Sequence, residues 1–250
     1  MKKMKWTALL LCAALAIGCL TGCGGSAKEE NKTLIVATHA TFPPYEFYEN
    51  GEIRGIDIDI MQAVCDKIGY TMEVADMEFG SIITAVATGK AHVGAAAISK
   101  TEDRAKSVNF TVSYATGIQS VIVKDGGKVA SLDDLGDAMI GVQQDTTGDI
   151  YATGEFGDDH MLRYNKGADA VQALASGKCD AVIIDNGPAQ VYVELNPGLS
   201  LLDTPYELEE YSYEISYDQP ELYELVNNAL QDLIADGTVQ GIIDTYISAE

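Results

Sequence analysis

Across 250 residues the chain carries 38 Asp and Glu against 16 Lys and Arg, a formal net charge of −22. Phosphate backbones and anionic lipid surfaces are held by Lys and Arg, so this balance argues against nucleic acid or anionic lipid as a partner; attraction of cationic solutes and a plain solvated acidic surface both fit it. The length suits one large or two small domains, and neither a CxxC pair nor a His/Cys cluster suggests a metal.

Lys2, Lys3 and Lys5 precede an apolar run, 8–20, that is shorter than the about 20 residues a membrane-spanning helix needs. A basic start, a short apolar stretch and small residues beyond it read as a secretory signal. Leu20-Thr21-Gly22-Cys23 resembles the lipobox of bacterial lipoproteins. That resemblance implies a signal peptide at 1–22, a diacylglycerol on the Cys23 thiol with palmitate among its acyl chains, and a small, polar, lipidated tether at 23–32. A plain signal peptide with an incidental cysteine is the alternative. Cys12 and Cys19 would leave with the signal. Cys65 and Cys179 then remain in different halves of the chain, where a disulfide would lock them together, so two unpaired buried thiols are expected.

Beyond the tether, short β-rich apolar runs alternate with helical patterns, the grammar of parallel α/β structure. Residues 34–38 form a candidate first strand, ended by Phe42-Pro43-Pro44, and 45–53 with Asn50-Gly51 reads as a hairpin. Ile60, Met61, Val64 and Ile68 recur at helical spacing across 57–68, with Gly69 as the stop. A strand at 71–75, a helix at 79–88 and a strand at 92–98 follow. The second half repeats the order, with strands at 139–142, 161–164 and 179–184 and helices at 147–155, 167–176 and 186–195. Helical patterns at 220–235 and 239–247 come last.

Residues 85–97 and 173–185 line up without a gap, each reading as a helix end, a glycine cap (Gly89, Gly177) and a buried parallel strand. Duplication and convergence of helix-cap-strand units both account for this. Either way the chain holds two similar lobes, each with its own βαβ layer. Ligands of open α/β sheets sit beyond the carboxyl ends of the strands. The repeat therefore sets Ala97 and Asp185 at equivalent strand ends, one on each wall of a shared cleft.

Past Ala97 comes Ser99-Lys100-Thr101-Glu102-Asp103-Arg104, with Thr101 as a candidate N-cap. Free backbone N–H groups, the Ser99 hydroxyl and the Arg104 fork would together receive a carboxylate; a surface ion pair for Arg104 is the alternative. Asp185 ends an apolar strand, where a charge is costly unless neutralised. A ligand ammonium would do so, and a cap on the helix beginning at Asn186 is the other reading. Phe42 and Phe79 follow predicted strands, placed either to flank a ligand side chain or to pack in the core.

The stretch Gly55-Ile56-Asp57-Ile58-Asp59-Ile60-Met61, continuing to Ile68, resembles the signature of the family 3 bacterial extracellular solute-binding proteins, the amino-acid receptors of ABC importers. Residues 34–47, 99–104 with Phe110, and 230–246 are similar to that family too. The resemblance implies an α/β, two-lobed periplasmic-binding-protein-like fold of type II. Each lobe would be a mostly parallel sheet flanked by helices, with a two-strand hinge near 114–118 and 203–207. Lobe 1 would comprise 33–115 and 206–250, lobe 2 116–205. It further implies an α-carboxylate site at Arg104, Ser99 and the backbone near Ala97, an α-ammonium acceptor at Asp185, and aromatic walls at Phe42 and Phe79. Gln143 and Thr147 fall in a loop like the family's Gly-Thr-Thr loop, with Asp145 in place of its glycine. Asp59 is assigned a structural role.

The implied protein needs no cofactor and is not an enzyme. It would be an exported monomer, lipid-anchored to the outer face of the cell membrane, handing a free amino acid to a membrane-embedded ABC permease. His39 stands where similar receptors for basic amino acids are acidic, which points first to a neutral polar ligand that Gln143 could bond. A cationic ligand held by Glu46 or Asp145 comes second. The competing function class is a cyclic-carboxylate dehydratase on the same fold, with His39 and Asp185 cast as acid and base.

Overall fold

The computed structural model describes residues 32–247. The expected signal peptide, the expected lipidation site at Cys23 and nearly all of the expected tether lie outside the described residues. In chain order the first elements are β1 (Lys32–Thr38), β2 (Thr41–Phe42), β3 (Glu46–Glu49), β4 (Glu52–Arg54), α1 (Ile56–Ile68), β5 (Tyr70–Asp76), α2 (Ile82–Ala87), β6 (Val93–Gly94), β7 (Val108–Phe110) and β8 (Ala115–Lys124). Then come β9 (Ile140–Gln143), α3 (Thr147–Phe156), β10 (Met161–Tyr164), α4 (Gly167–Ala175), β11 (Ala181–Asp185), α5 (Asn186–Leu195), β12 (Leu199–Leu201) and β13 (Glu207–Tyr211). The last described elements are β14 (Glu214–Ser216), α6 (Pro220–Ala235) and α7 (Thr238–Tyr246).

Two sheets organise these elements. The first runs β5-β1-β6-β14-β7 and the second β10-β9-β11-β8-β12, with β13 also paired to β8. Each is parallel from one edge to its middle strand, through β1 with β5 and β6, or β9 with β10 and β11. Antiparallel strands extend each one. This is the two-lobed architecture expected from the alternating pattern.

The helix end and glycine cap of the repeat are reproduced in both copies. Gly89 and Gly177 are both left-handed, at φ 73° and 75°, the conformation glycine adopts without a Cβ penalty. Lys90 N–H donates to Ala85 C=O and Lys178 N–H to Ala173 C=O, each at 2.8 Å. At the start of each strand a side chain then accepts from the backbone of its neighbour, His92 from Ile35 N–H and Asp180 from Met139 N–H.

The first-lobe strand expected over 92–98 is much shorter, pairing only at Val93–Gly94. One further bond, Ala95 N–H to Ala37 C=O, follows it. The chain then leaves the sheet because Ala97 turns left-handed at φ 47° while its N–H is drawn to the buried Asp57 carboxylate at 2.7 Å. The anion-binding helix expected after Thr101 is likewise reduced to a single 3-10 turn, Arg104–Lys106, with Thr101 Oγ1 accepting from Arg104 N–H. The chain passes between the sheets along Ala115–Ile118 and, antiparallel to it, Leu208–Tyr211. The return thus falls a few residues beyond the segment expected from sequence, because β13 keeps its bonds to β8 through Tyr211 and β14 joins the first sheet only at Glu214.

Helix α1 buries Ile56, Ile60, Met61, Val64 and Cys65 on one face, the spacing read from sequence. It begins where Ile56 N–H and Asp57 N–H bond the carbonyls of Pro44 and Tyr45. That approach requires Gly55, at φ 135°, because a Cβ there would overlap the Tyr45 carbonyl. Cys65 and Cys179 are buried and unpaired. Gly55→Ala is expected to lower stability by about 1–3 kcal/mol or more through backbone strain alone, visible as a reduced urea midpoint; an unchanged midpoint would contradict this packing.

Candidate functional site

The carboxyl ends of the parallel strands converge on one cleft of about 310 Å³ of space between atoms, with room at its centre for about one water. From the first lobe come His39 after β1, Phe42, Glu46, Phe79 after β5, Ala96, Ala97 and Arg104. From the second come Gln143 at the end of β9, Thr146, Thr147 and Asp185 at the end of β11. Eight of the nine residues singled out in sequence meet here. Ser99 is the exception: it lies just behind the lining, its Oγ buried without a hydrogen-bond partner.

Arg104 defines the basic end. Its guanidinium lies over the Phe79 ring, 5.5 Å from the centroid. Nη1 donates to Ser99 C=O at 2.8 Å and Nη2 crosses the cleft to Asp145 C=O at 2.9 Å. Both acceptors are neutral, so a ligand carboxylate, which makes the stronger charge-assisted bond, competes well for the same fork. Asp145 occupies a left-handed conformation, φ 65°, and its carboxylate fills the notch left by the missing Cβ of Gly80. The backbone of this loop thus keeps a glycine-like turn with aspartate in it.

Asp185 defines the acidic end. It accepts from Gln119 Nε2 at 2.8 Å and from the Tyr211 hydroxyl, and makes no side-chain bond that caps α5. Burial, and next the charge of Glu209, push its pKa up to about 7. A cation beside it would reverse that shift.

Between these ends the two lobes touch through His39 and Gln143. Gln143 Oε1 accepts from Gly167 N–H at 3.2 Å, which turns its Nε2 toward His39 Nδ1, also at 3.2 Å. Nδ1 is therefore the acceptor, and burial lowers the His39 pKa in the same sense. Tyr192 OH donates across to Thr41 C=O at 3.0 Å. Glu46 is 1 % exposed, and its Oε2 has no partner. Burial, then the charges of Asp57 and Asp185, hold its pKa well above the usual carboxylate value. Sequence reading had weighed Glu46 only as a secondary source of charge. The strand alternation in 45–53 offered a weak signal that it points inward.

Asp57 was not singled out at all. Fully buried, it accepts from Ala97 N–H and from the Tyr114 hydroxyl, each at 2.7 Å. Tyr213 stacks on Tyr114 at 4.4 Å and donates to the Asp57 carbonyl. Its place in the signature, two residues before the Asp59 that was assigned a structural role, is the available clue. Asp59 does act structurally, accepting from the Tyr246 hydroxyl of α7.

The profile of bacterial extracellular solute-binding proteins, family 3, matches residues 34–249. The arginine-binding extracellular protein ArtP of Bacillus subtilis is 31% identical, covering 98% of this chain and 99% of that protein. A probable histidine-binding protein of Neisseria gonorrhoeae is 29% identical, covering 100% and 98%. Among solved structures, an ancestral arginine-binding protein bound to glutamine superposes with a TM-score of 0.81 at 35% identity, covering 87% of this chain and 98% of that one. The arginine-, lysine-, histidine-binding protein ArtJ of Geobacillus stearothermophilus superposes with a TM-score of 0.82 at 30% identity, covering 88% and 96%.

The raised carboxyls make stability depend on pH. Asp57 and Asp185 both move from 3.8 to about 7, so the folded chain holds protons that the unfolded chain has lost. Their stabilisation is complete below about pH 4 and is lost as pH rises through about 7. His39, lowered from 6.5, acts oppositely and below that range. The urea midpoint should therefore fall as pH rises from about 5 to about 7.5 and level off above that, and it should fall more shallowly in Asp57→Asn; equal slopes would exclude this role for Asp57.

Proposed function

Because the chain belongs to the bacterial extracellular solute-binding proteins of family 3, we propose that it is the substrate-binding component of an ABC importer, capturing a free amino acid with a cationic side chain by closing its lobes. The observation that carries this reading is the placement of Arg104 and Asp185 in one cleft, with the unpartnered carboxylate of Glu46 beside them.

In this reading the α-carboxylate exchanges with the two carbonyls on the Arg104 fork, helped by the Ser99 hydroxyl. The α-ammonium neutralises Asp185 near the Ala97 backbone, and Phe42 and Phe79 flank the side chain. Gln143 and Thr147 complete the closed state from the second lobe. A ligand favours closure only through contacts it makes with both lobes at once. Glu46 then supplies the negative charge that is missing at His39, which turns the preference from a neutral polar side chain toward a cationic one. A guanidinium or imidazolium on Glu46 would relieve its buried, unpaired state. The arginine- and histidine-binding relatives support the same choice. They are solute-binding proteins rather than enzymes, which supports capture without covalent chemistry.

Export and anchoring through a lipid on Cys23 to the outer face of the membrane, a permease partner and a monomeric state complete the proposal. Its support is the Leu20–Cys23 motif and the family's extracellular setting.

A thermal-shift screen against free amino acids tests it. A ligand at 100 times its dissociation constant adds about 2.7 kcal/mol of stability. Arginine is expected to give the shift, and no shift with any amino acid would overturn the assignment. Arg104→Ala and Asp185→Ala should each weaken binding by about a hundredfold, since charge-assisted contacts are each worth about 1.5–3 kcal/mol and partners left unpaired add to the loss. Glu46→Gln should weaken arginine by about tenfold or more while moving glutamine only a few-fold. Equal losses for both would remove Glu46 from the specificity site.

A further inference from the structure

Behind Asp185 lies a second buried carboxylate that the proposed binding mode does not use. Glu209, on β13, is 6 % exposed. Gln119 on β8 stands between it and β11, paired in register with Asp185 on one side and with Glu207 on the other. Its Nε2 donates to Asp185 Oδ2 at 2.8 Å and to Glu209 Oε2 at 3.0 Å. The two carboxylate oxygens are therefore at most about 6 Å apart, within the range where like charges oppose each other's ionisation. Thr147 Oγ1 also donates to Glu209 Oε2, while Glu209 Oε1 is buried with no partner.

We propose that Glu209 is a positioning residue for the ammonium end of the cleft, acting through Asp185 to keep a proton on it until an ammonium group enters and displaces that proton. This rests on the reading of Asp185 as the ammonium acceptor. Two acids here share one amide. The cation in reach is Arg104, whose fork is directed at Ser99 and Asp145. The other titratable groups facing the pair are Tyr45 and Glu46 from the first lobe, and Tyr151, Tyr211 and Glu207 from the second. None of these supplies positive charge. Retaining one proton is then the less costly state. When R–NH3+ arrives, the Asp185 O–H bond breaks, its proton passes to solvent, and the carboxylate accepts from the ammonium. The position of Asp185 near 7, set by burial and next by Glu209, agrees with this exchange.

The test compares wild type with Glu209→Gln, in which the amide oxygen still accepts from Gln119 and Thr147. L-glutamine is the first probe, since its neutral side chain leaves the charge of Glu46 out of the comparison, and L-arginine is the second. Calorimetry in buffers of different ionisation enthalpy should show about half a proton released per ligand at pH 7 in wild type, and about a quarter or less in Glu209→Gln. Carboxyl-carbon NMR of the vacant protein, assigned with Asp185→Asn, should show the Asp185 midpoint lowered by at least about half a pH unit in Glu209→Gln. Equal midpoints in two folded proteins would overturn the inference. Binding without proton release would overturn it too and leave the receptor assignment standing. If neither probe binds wild type, the ammonium reading fails, and the vacant-state midpoint still decides whether Glu209 acts on Asp185.

Discussion

The Asp57 carboxylate, fully buried, accepts a hydrogen bond from Ala97 N–H, and four segments distant in sequence meet at that one residue. Its helix, α1, is entered through the close approach at Gly55. The Ala97 N–H it captures ends β6 and turns the chain toward the cleft. Tyr114, which donates to the other oxygen, sits at the start of the first strand crossing between lobes, and Tyr213 lies just after the second. A lone buried carboxylate is costly, and one supplied with two donors much less so. The bond therefore ties the wall of the site to the strands that cross between the two sheets.

Electrostatics then shape what the cleft accepts. Glu46, Asp185 and Glu209 are all buried, and Glu46 and Asp185 line the same cleft as Arg104. A fourth acid, Glu214, is also fully buried, lodged where Gly94 lacks a side chain. This excess of acid over base is poorly satisfied within the chain, several of the carboxylate oxygens having no hydrogen-bond partner. Across the cleft the walls meet through the Arg104 fork on the Asp145 carbonyl, His39 with Gln143, and Tyr192 with Thr41. A ligand that adds charged contacts to both walls has a large differential effect on that balance.

Much of this was legible in the residues. The α1 periodicity, the Asn50-Gly51 hairpin with both residues at positive φ, and the two glycine caps of the repeat follow from local rules that burial reinforces. So does the meeting of Arg104 with Asp185, because strand ends in paired α/β lobes face a common cleft. Less legible was the short β6, since nothing near Ala97 in sequence announces that a carboxylate forty residues earlier will take its N–H. The shortened turn at Arg104–Lys106 and the late return at Glu214 share that origin: which partner a backbone group finds is decided by segments far along the chain.

The sequence by itself determined the two-lobed α/β plan and the pairing of a basic end with an acidic end. Those features depend on periodicity, residue type and neighbouring positions. Only the tertiary structure decided which acids are buried and against what. Glu46, Asp57 and Glu209 look like ordinary surface acids in a chain of net charge −22. They are buried because the packing of other segments removes water from them, and desolvation has no signature in a single stretch of sequence.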